Sequence, residues 1–360
     1  MVWCGKSRKA VFILGAGATR GAVKHVLVNK KRIRPPLNRD FFDIVETLAK
    51  ANADSGRTSS RFSRLKRSLE DDFPTKGQWP VPMETAFSLL YISKDFPKIF
   101  SRSAGRPRQA GSRAEIEDFL RLTFTLLNTI AAGADQDNLY AKLVSKLEPR
   151  DTLITLNYDT VLDGALLSRG WDPAKGYGLS GGQQKFKWKM PRPPLLPQLK
   201  DVKLLKLHGS LNWIVKGTYK DIHKVFAAKP SRVVLSVKPG SNETYGFIRQ
   251  IIPPIYGKFF QHAHWQSLWH AAYDAVVEAD MIVVVGCSLV DTDFHLSGIL
   301  SRAMREKRRK GAKFAVSVLV DRTRIRRKWA RLLKGRVQNP VAFTNFAKFA
   351  VALSRSHQRR

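Results

Sequence analysis

The sequence predicts an α/β protein: a mostly parallel sheet with helices on both faces, interrupted by a large helical insertion. Three observations predict it. Short apolar runs, "AVFIL", "DTLIT", "VKLLKL", "MIVVV" and "AVSVLV", read as buried strands. Most are followed by a helical pattern, the alternation that builds βα units and a parallel sheet. Between the first two of these strands, residues 41–148 are mostly helical in pattern and contain no clear strand.

The elements follow in order. Residues 10–14 form a strand, then a glycine turn, then a helix from near Ala18. "RIRPPLNRDFFDIVETLAKA" holds a Pro-Pro break, Asn38 as a helix cap, and an amphipathic helix from about Asp40. Within 50–113, "SGRTSSR" and "SRSAGRPRQAGSR" are polar and basic and read as exposed loops. "AEIEDFLRLTFTLLNTIAAG" is a helix with Ile116, Phe119, Leu120, Thr123, Phe124 and Leu127 on one face, and a second helix is expected over 135–147. "DTLITLN" is a strand ended by "NYD", and "TVLDGALLSRG" is the helix after it. Residues 171–201, rich in Gly and Pro, read as a long ordered loop. "VKLLKLHGSLNWIV" reads as strand, His-Gly turn and strand, "SRVVLSV" as a further strand, and "IIPPIYGKFF" as a proline-stiffened loop. The remainder alternates: helix "WQSLWHAAYDAVVEAD", strand "MIVVVGCSL", helix "TDFHLSGILSRAMRE", strand "AKFAVSVLV", helix "TRIRRKWARLLKG", and a last helix near 344–353. No internal repeat is visible.

Composition bounds the class. A chain of 360 residues suits one large domain or two ordinary ones, and 43% apolar residues can build a sizeable core. The apolar runs are too short to span a bilayer, so no membrane partner is expected. The start, "MVWCGKSRKAVFIL", lacks the pattern of a signal peptide. The two cysteines, Cys4 and Cys287, support neither a disulfide framework nor a Cys-x-x-Cys zinc site, which fits a cytoplasmic protein. Lys and Arg number 63 against 29 Asp and Glu, and the excess is densest in the basic C-terminal portion, about 302–360. Such a field favours polyanions, among them nucleic acid, nucleotides and acidic protein surfaces; it also describes a plainly solvated face.

Four constellations could carry chemistry. In "GAGATRGA", Gly15 and Gly17 allow a close backbone approach to a pyrophosphate at the start of a helix. The spacing is G-x-G-x-x-x-G, no acidic residue ends a following strand, and no Walker lysine appears, so a plain tight turn is an equal reading. Asn157 and Asp159 lie just past a strand end, where open α/β sheets bind ligands; either could instead cap the next helix. His208 also follows a strand, as a general base or as a satisfied core histidine. Gly286 and Ser288 follow a strand and precede Asp291 and Asp293, a turn suited to ribose or phosphate, although Asp293 could simply cap its helix. Cys287 reads as buried packing. The group His262, His264 and His270 has no carboxylate at metal spacing, and no metal site is expected there. "GGQQKFKWKMPRPP" could stack on bases but reads as loop surface.

In order, "GAGAT", "TLNYD", "KLHGSLNW", "IIPPIYGK" and "VVVGCSLVDTD" resemble the sirtuin-like family, specifically its bacterial NAD-hydrolase branch in antiphage defence proteins. The resemblance covers about residues 10–305 and implies one Rossmann-like NAD-binding domain over 1–360. It implies that Gly15, Ala16, Gly17, Ala18 and Thr19 cradle the NAD pyrophosphate. Asn157 and His208 would be the catalytic pair, Asp159 would support the nicotinamide side, and Gly286 and Ser288 would face the adenosine half. The zinc-containing deacylases carry a four-cysteine module that two cysteines cannot supply; Thr19 stands where the family often has Ser; the helical insertion is larger than a deacylase's small domain. The implied activity is an NAD+ glycohydrolase that releases nicotinamide and ADP-ribose as a regulated antiphage effector. NAD is then a substrate, and no zinc is expected. Implied partners are further copies in a homo-oligomer or a partner ATPase, with nucleic acid through the basic surface. Two other readings stand beside it: a protein deacylase or ADP-ribosyltransferase, and a nucleic-acid-binding module with a nucleotide-sensing pocket.

Overall fold

The computed structural model describes residues 9–52, 56–72, 81–95, 111–179, 199, 201–217, 222–227, 251–252, 263–320, 322–333, 346 and 349. They fall into two compact units. One takes its residues from Met1–Val23, Ala134–Ile251 and Phe260–Arg360, the other from Lys24–Gly133 and Ile252–Phe259.

The first unit is built on a parallel sheet. Strand β1 is Ala10–Leu14. In the second unit β2 (Val26–Val28) and β3 (Lys31–Ile33) form a hairpin. The sheet continues with β4 (Thr152–Thr155) and β5 (Lys203–Lys206). A separate antiparallel pair, β6 (Trp213–Gly217) and β7 (Ile222–Ala227), follows; β8 (Met281–Val285) and β9 (Ala315–Leu319) complete the sheet. Its order is β5-β4-β1-β8-β9, and every neighbouring pair is parallel. Helices Val161–Leu167, Ala263–Glu278, Phe294–Arg309 and Thr323–Leu332 alternate with the later strands, as the sequence pattern predicts.

The central strand explains its own composition. All five residues of β1 are buried, so both faces must be apolar. The chain leaves β1, builds outward through β4 and β5, then returns to the other side of β1 as β8. The order therefore reverses between β1 and β8, the kind of switch point where the carboxyl ends of strands leave a crevice. The registers align those ends. Leu14 pairs with Thr155 and with Val285, Thr155 with Lys206, and Val285 with Leu319, so the strands finish in one row. Thr155 fastens the row by donating from Oγ1 to the Leu14 carbonyl at 3.1 Å.

At the opposite end, Asp151 joins β4 to β1. Its carboxylate accepts from the amides of Ala10 and Glu148, each at 2.9 Å. Burial pushes its pKa up to about 6, although those two amides favour the charged form.

Among its described residues, the regular structure of the second unit is helical apart from the hairpin. Asn29 and Lys30 connect β2 and β3 with positive φ of 45° and 66°, the conformation of a tight primed turn. Two three-residue strands are too short for a periodicity to show them in the sequence. Helices Phe41–Ala51, Arg57–Asp72, Met83–Asp95 and Gly111–Gly133 surround Phe41, Phe42, Phe87 and Phe119, with Phe87 and Phe119 centroids 4.6 Å apart.

Three local expectations are corrected. "SGRTSSR" is not a loop beyond Gly56: Arg57 begins a helix whose Phe62, Leu65 and Leu69 are buried along one side. Basic and hydroxyl residues on the outer face mask that stripe. Asn38 does not cap the helix at Phe41. Its side chain accepts from Glu84 N at 2.9 Å, at the start of another helix. Within 171–201, Pro173–Gly176 is a short helix. "SRVVLSV", "SRSAGRPRQA", "PPIYGKFF" and the basic-aromatic stretch at 181–194 lie outside the described residues, as does the helix expected near 344–353 except at positions 346 and 349.

The Asp151 site predicts a pH signature. A carboxyl whose pKa is raised in the folded state favours folding while it is protonated. That contribution is lost as pH rises from the ordinary carboxylate value to about 6. Asp151→Asn should therefore gain on the natural protein by about 3 kcal/mol between pH 4 and pH 7, as an order of magnitude. Denaturant unfolding of both proteins at the two pH values measures it, and a difference independent of pH contradicts it.

Candidate active site at the carboxyl edge of the sheet

Two turns meet at the switch point. After β1 comes the helix Ala16–Ala22, and after β8 comes Gly286. Their backbones touch: Gly17 N donates to Gly286 O at 2.9 Å, and Gly286 N donates to Leu319 O at 3.0 Å. A Cβ on Gly15 would stand 2.6 Å from Cys287 Cα, and one on Gly17 would stand 2.7 Å from Gly286 O. Gly286 has φ +56°, and a Cβ there would lie 2.1 Å from the Ala18 nitrogen. Neither turn admits a side chain toward the other.

This bears on the question left open by the glycine spacing. The absence of Cβ atoms first serves contact between the protein's own turns. The amides of Gly15, Gly17 and Ala18 donate to Val285, Gly286 and Gly15 carbonyls. The amide of the exposed Ala16 has no acceptor among the described residues and is the turn's outward donor. The turn thus suits a pyrophosphate through one free amide and a close-packed backbone, not through a full ring of free N–H groups.

Thr19 is the centre of a buried polar cluster. Its hydroxyl donates to Asp159 Oδ2 at 3.0 Å, accepts from Asn157 Nδ2 at 3.0 Å, and lies 2.9 Å from Tyr140 Oη. A hydroxyl has one proton, and here it goes to the carboxylate, so Tyr140 is the donor of the third bond. Asn157 also donates to the Gly15 carbonyl at 3.0 Å. Both hydrogens of its amide are then committed inward, and Oδ1 remains as an acceptor on a half-buried residue. Burial, reinforced by the Asp159 carboxylate, pushes the Tyr140 pKa well above its usual value and keeps the donor protonated. Burial also raises Asp159, against the opposing pull of Lys206 and the hydrogen bonds from Val161 N and Thr19.

Asp159 settles the capping question for its helix. Oδ1 accepts from Val161 N at 3.1 Å while Oδ2 holds Thr19. It stands one residue before the N-cap, Thr160, which makes no side-chain cap; it satisfies the helix's first amide and braces Thr19, and its carboxylate is turned into the protein.

A second polar group lies beneath. Lys206, wholly buried in β5, donates from Nζ to the Asp159 carbonyl at 2.5 Å and to Asp163 Oδ2 at 3.1 Å. Tyr177 also donates to Asp163 and accepts from Asn212 at 3.1 Å, and Ser210 donates to Asn212 Oδ1 at 2.6 Å. These residues are absent from the sequence-derived site. The available signal was a charge inside an apolar run: Lys206 in "LLKL" and Asp163 in "VLDGALL". Tyr140 had none, because its partners lie far away in the chain.

His208 stands two residues beyond Lys206, as Asn157 stands two beyond Thr155, and Thr155 pairs with Lys206. The two candidates therefore leave neighbouring strands at matching positions. His208 is buried, and its Nε2 is 3.6 Å from Asp293 Oδ1, itself buried. The imidazole centroid lies 6.4 Å from the Tyr158 ring and 6.3 Å from the Trp269 indole. Asp293 occupies the N-cap position of helix Phe294–Arg309 but makes no side-chain cap. Its carboxylate faces the histidine instead.

The remaining candidates separate. Ser288 is exposed, and Asp291 pairs with Lys328 at 2.6 Å away from the cluster. Burial pushes the Cys287 thiol up to about 12, so it packs as a neutral group. His270 is exposed on its helix; His262 and the side chain of His264 lie outside what is described. Among the described residues no group of three His, Cys, Asp or Glu side chains is arranged to hold a metal ion, and no helix is long and apolar enough to cross a membrane.

Comparison with known proteins adds one family. A model described as SIR2-like domain matches residues 151–334. No curated protein sequence matches the chain. Among solved structures, the chain is similar to a Sir2 homologue, a histidine-to-asparagine mutant in complex with ADP-ribose, at 13% identity over 98% of this chain and 92% of that one, with a TM-score of 0.42. It is also similar to a structure described as a basis for the mechanism and regulation of Sir2 enzymes, at 14% identity over 99% and 95%, TM-score 0.37. A third, a histidine-to-tyrosine Sir2 mutant with a p53 peptide and NAD, aligns at 14% identity over 99% and 95%, TM-score 0.34.

Four stability predictions come from this geometry. Gly286→Ala should lower unfolding free energy by about 3 kcal/mol or more, since it combines left-handed backbone strain with a backbone clash. Gly298→Ala, in open space on a helix, should raise it by about 0.5–1 kcal/mol. Thr19→Val should cost about 1–3 kcal/mol by leaving Asp159 and Tyr140 short of a partner, whereas Thr19→Ser, which keeps the hydroxyl, should cost far less. Denaturant titrations measure all four.

Proposed function

This chain belongs to the SIR2-like family, and from that premise we propose that it is an NAD+ glycohydrolase. Water attacks the nicotinamide ribose, the N-glycosidic bond breaks, and nicotinamide, ADP-ribose and a proton result. The observation that carries the reading is the pair of side chains at matching strand ends: the acceptor oxygen of Asn157 and the His208 imidazole backed by Asp293.

The chemistry asks little beyond placement. Nicotinamide leaves as a neutral molecule from a cationic pyridinium, through an oxocarbenium-like transition state. Asn157 Oδ1 accepts a hydrogen bond from a ribose hydroxyl or from the attacking water and orients it. His208 takes the proton released as the new C–O bond forms, and the Asp293 carboxylate stabilises the resulting imidazolium. Gly15–Thr19 hold the pyrophosphate beside the Ala16 amide, and Gly286 and Ser288 face the adenosine half. In a cell such an activity would drain a shared redox carrier. The reading therefore includes regulation of the kind expected of an antiphage effector, through further copies or a partner ATPase.

The test follows nicotinamide release from NAD by the full chain, alone and with an acylated peptide. Asn157→Ala and His208→Ala should each lower release by about 100-fold or more, and Asp293→Asn by roughly tenfold or more with little change in KM. Release that persists in the two alanine variants overturns the site. NAD consumption strictly dependent on the acylated peptide makes the protein a deacylase instead.

A further inference from the structure

We propose that a basic face on helices Phe294–Arg309 and Thr323–Leu332 binds the phosphate backbone of nucleic acid. Residues 294–333 hold thirteen Lys and Arg against two acids, Glu306 and Asp321. The structure sorts these cations into two kinds. Some are structural. Lys307 is buried and donates to the Val277 and Ala279 carbonyls, Arg326 donates to the Val320 carbonyl, and Lys328 holds the Leu289 carbonyl and Asp291.

Nine others are exposed, and six of them form two rows: Arg302, Arg305 and Arg309 on the first helix, and Arg324, Arg327 and Arg331 on the second. Each trio has the spacing i, i+3, i+7, which keeps it on one side of its helix. The Cα atoms of successive arginines in a row are then about 4.5–6 Å apart along the axis. Arg309 pairs with Glu306; Arg302, Arg305, Arg327 and Arg331 donate to no acceptor among the described residues. Four of the six arginines thus have no acceptor among the described residues, and these are open to an outside anion.

The composition of the face selects the partner. All six cations of the two rows are arginine, whose planar fork fits phosphate oxygens in pairs, with the exposed Lys310 and Lys313 beside them. A membrane-surface helix would keep its apolar side free for lipid. Here that side is taken beyond the exposed Phe294 at the start of the first helix: Trp329 is wholly buried and donates to the Cys287 carbonyl at 2.8 Å, and Leu300, Ala303 and Met304 are buried. A net charge of +34 supplies a long-range field toward a polyanion. The contact is to backbone phosphates, so DNA and RNA duplexes both serve as ligands and sequence is not read.

The experiment measures binding of labelled 25-base-pair DNA and RNA duplexes to the full chain, without NAD, between 50 and 200 mM KCl. Six phosphate contacts give a slope of log affinity on log salt near −5, at about −0.9 per contact. The variant Arg324→Gln/Arg327→Gln/Arg331→Gln should reduce that slope by about 2–3 and weaken binding at 100 mM salt at least tenfold. A control, Lys24→Gln/Lys31→Gln/Arg32→Gln, removes three exposed charges from the other unit and should leave the slope within about one unit of the natural protein. Thermal melting checks that each variant is folded. If Arg324→Gln/Arg327→Gln/Arg331→Gln does not fold, Arg302→Gln/Arg305→Gln replaces it, with an expected slope change of about 2. Equal losses in variant and control, a slope shallower than about −1 for both duplexes, or tighter binding to polyglutamate or anionic vesicles overturns the proposal. None of these outcomes depends on NAD hydrolysis, so failure here leaves that reading intact.

Discussion

The contact between the turn after β1 and the turn after β8 is the constraint on which the site rests. It arises where the strand order reverses, beside the central strand. Gly17 N and Gly286 O bond across it, and the positive φ of Gly286 holds the second turn in place. Because Asn157 is anchored on the Gly15 carbonyl and on Thr19, the position of its amide is inherited from this contact. A side chain at any of the three glycines would separate the turns and carry Asn157 with them. The backbone packing that closes the fold is thus the same packing that sets one of the two candidate catalytic groups.

The polar cluster around Thr19 turns that placement into rigidity. Buried hydroxyls, amides and carboxylates destabilise an apolar interior unless they are satisfied, and a satisfied network specifies one arrangement. Here the Thr19 hydroxyl uses its proton and both lone pairs. The Lys206–Asp163 pair is better understood as placement than as stability, since desolvation offsets most of the attraction in a buried ion pair. Lys206 also holds the Asp159 carbonyl, while Asp159 holds Thr19 and the first amide of its helix. The loop from Asn157 to Thr160 is therefore braced from the sheet below and from the glycine turn beside it.

How much of this was legible depends on the range of each interaction. The sheet strands could be read because a strand buried on both faces leaves an uninterrupted apolar run, as in β1 and β8. The candidate site residues could be read because they follow such runs directly, and the register then brings Asn157 and His208 to matching positions. The brace could not. Tyr140 reaches Thr19 across 121 residues, and Asn38 caps a helix 46 residues away. The fate of Asp293 was likewise hidden, because local sequence allows a cap and only the return of β8 beside β1 brings it to His208. The helix at Arg57 was obscured in another way: three buried apolar residues were outnumbered by the Arg and Ser around them.

On the hydrolase reading, a stiff site suits the reaction. The leaving group is good without protonation, so the barrier lies in bringing water and ribose into line while positive charge develops. A route through a cysteine nucleophile is disfavoured by the fold itself, because burial pushes the pKa of the Cys287 thiol up to about 12. What remains at the carboxyl edge is an acceptor oxygen fixed by the glycine turn and an imidazole facing a buried carboxylate. Neither group must move far to act. A site assembled this way gains rate from preorganisation, in that its dipoles and charges stand ready before substrate arrives and need no rearrangement as the bond stretches. Control of such a site would have to come from access or assembly, because a chemistry this dependent on fixed geometry leaves little to switch within the site.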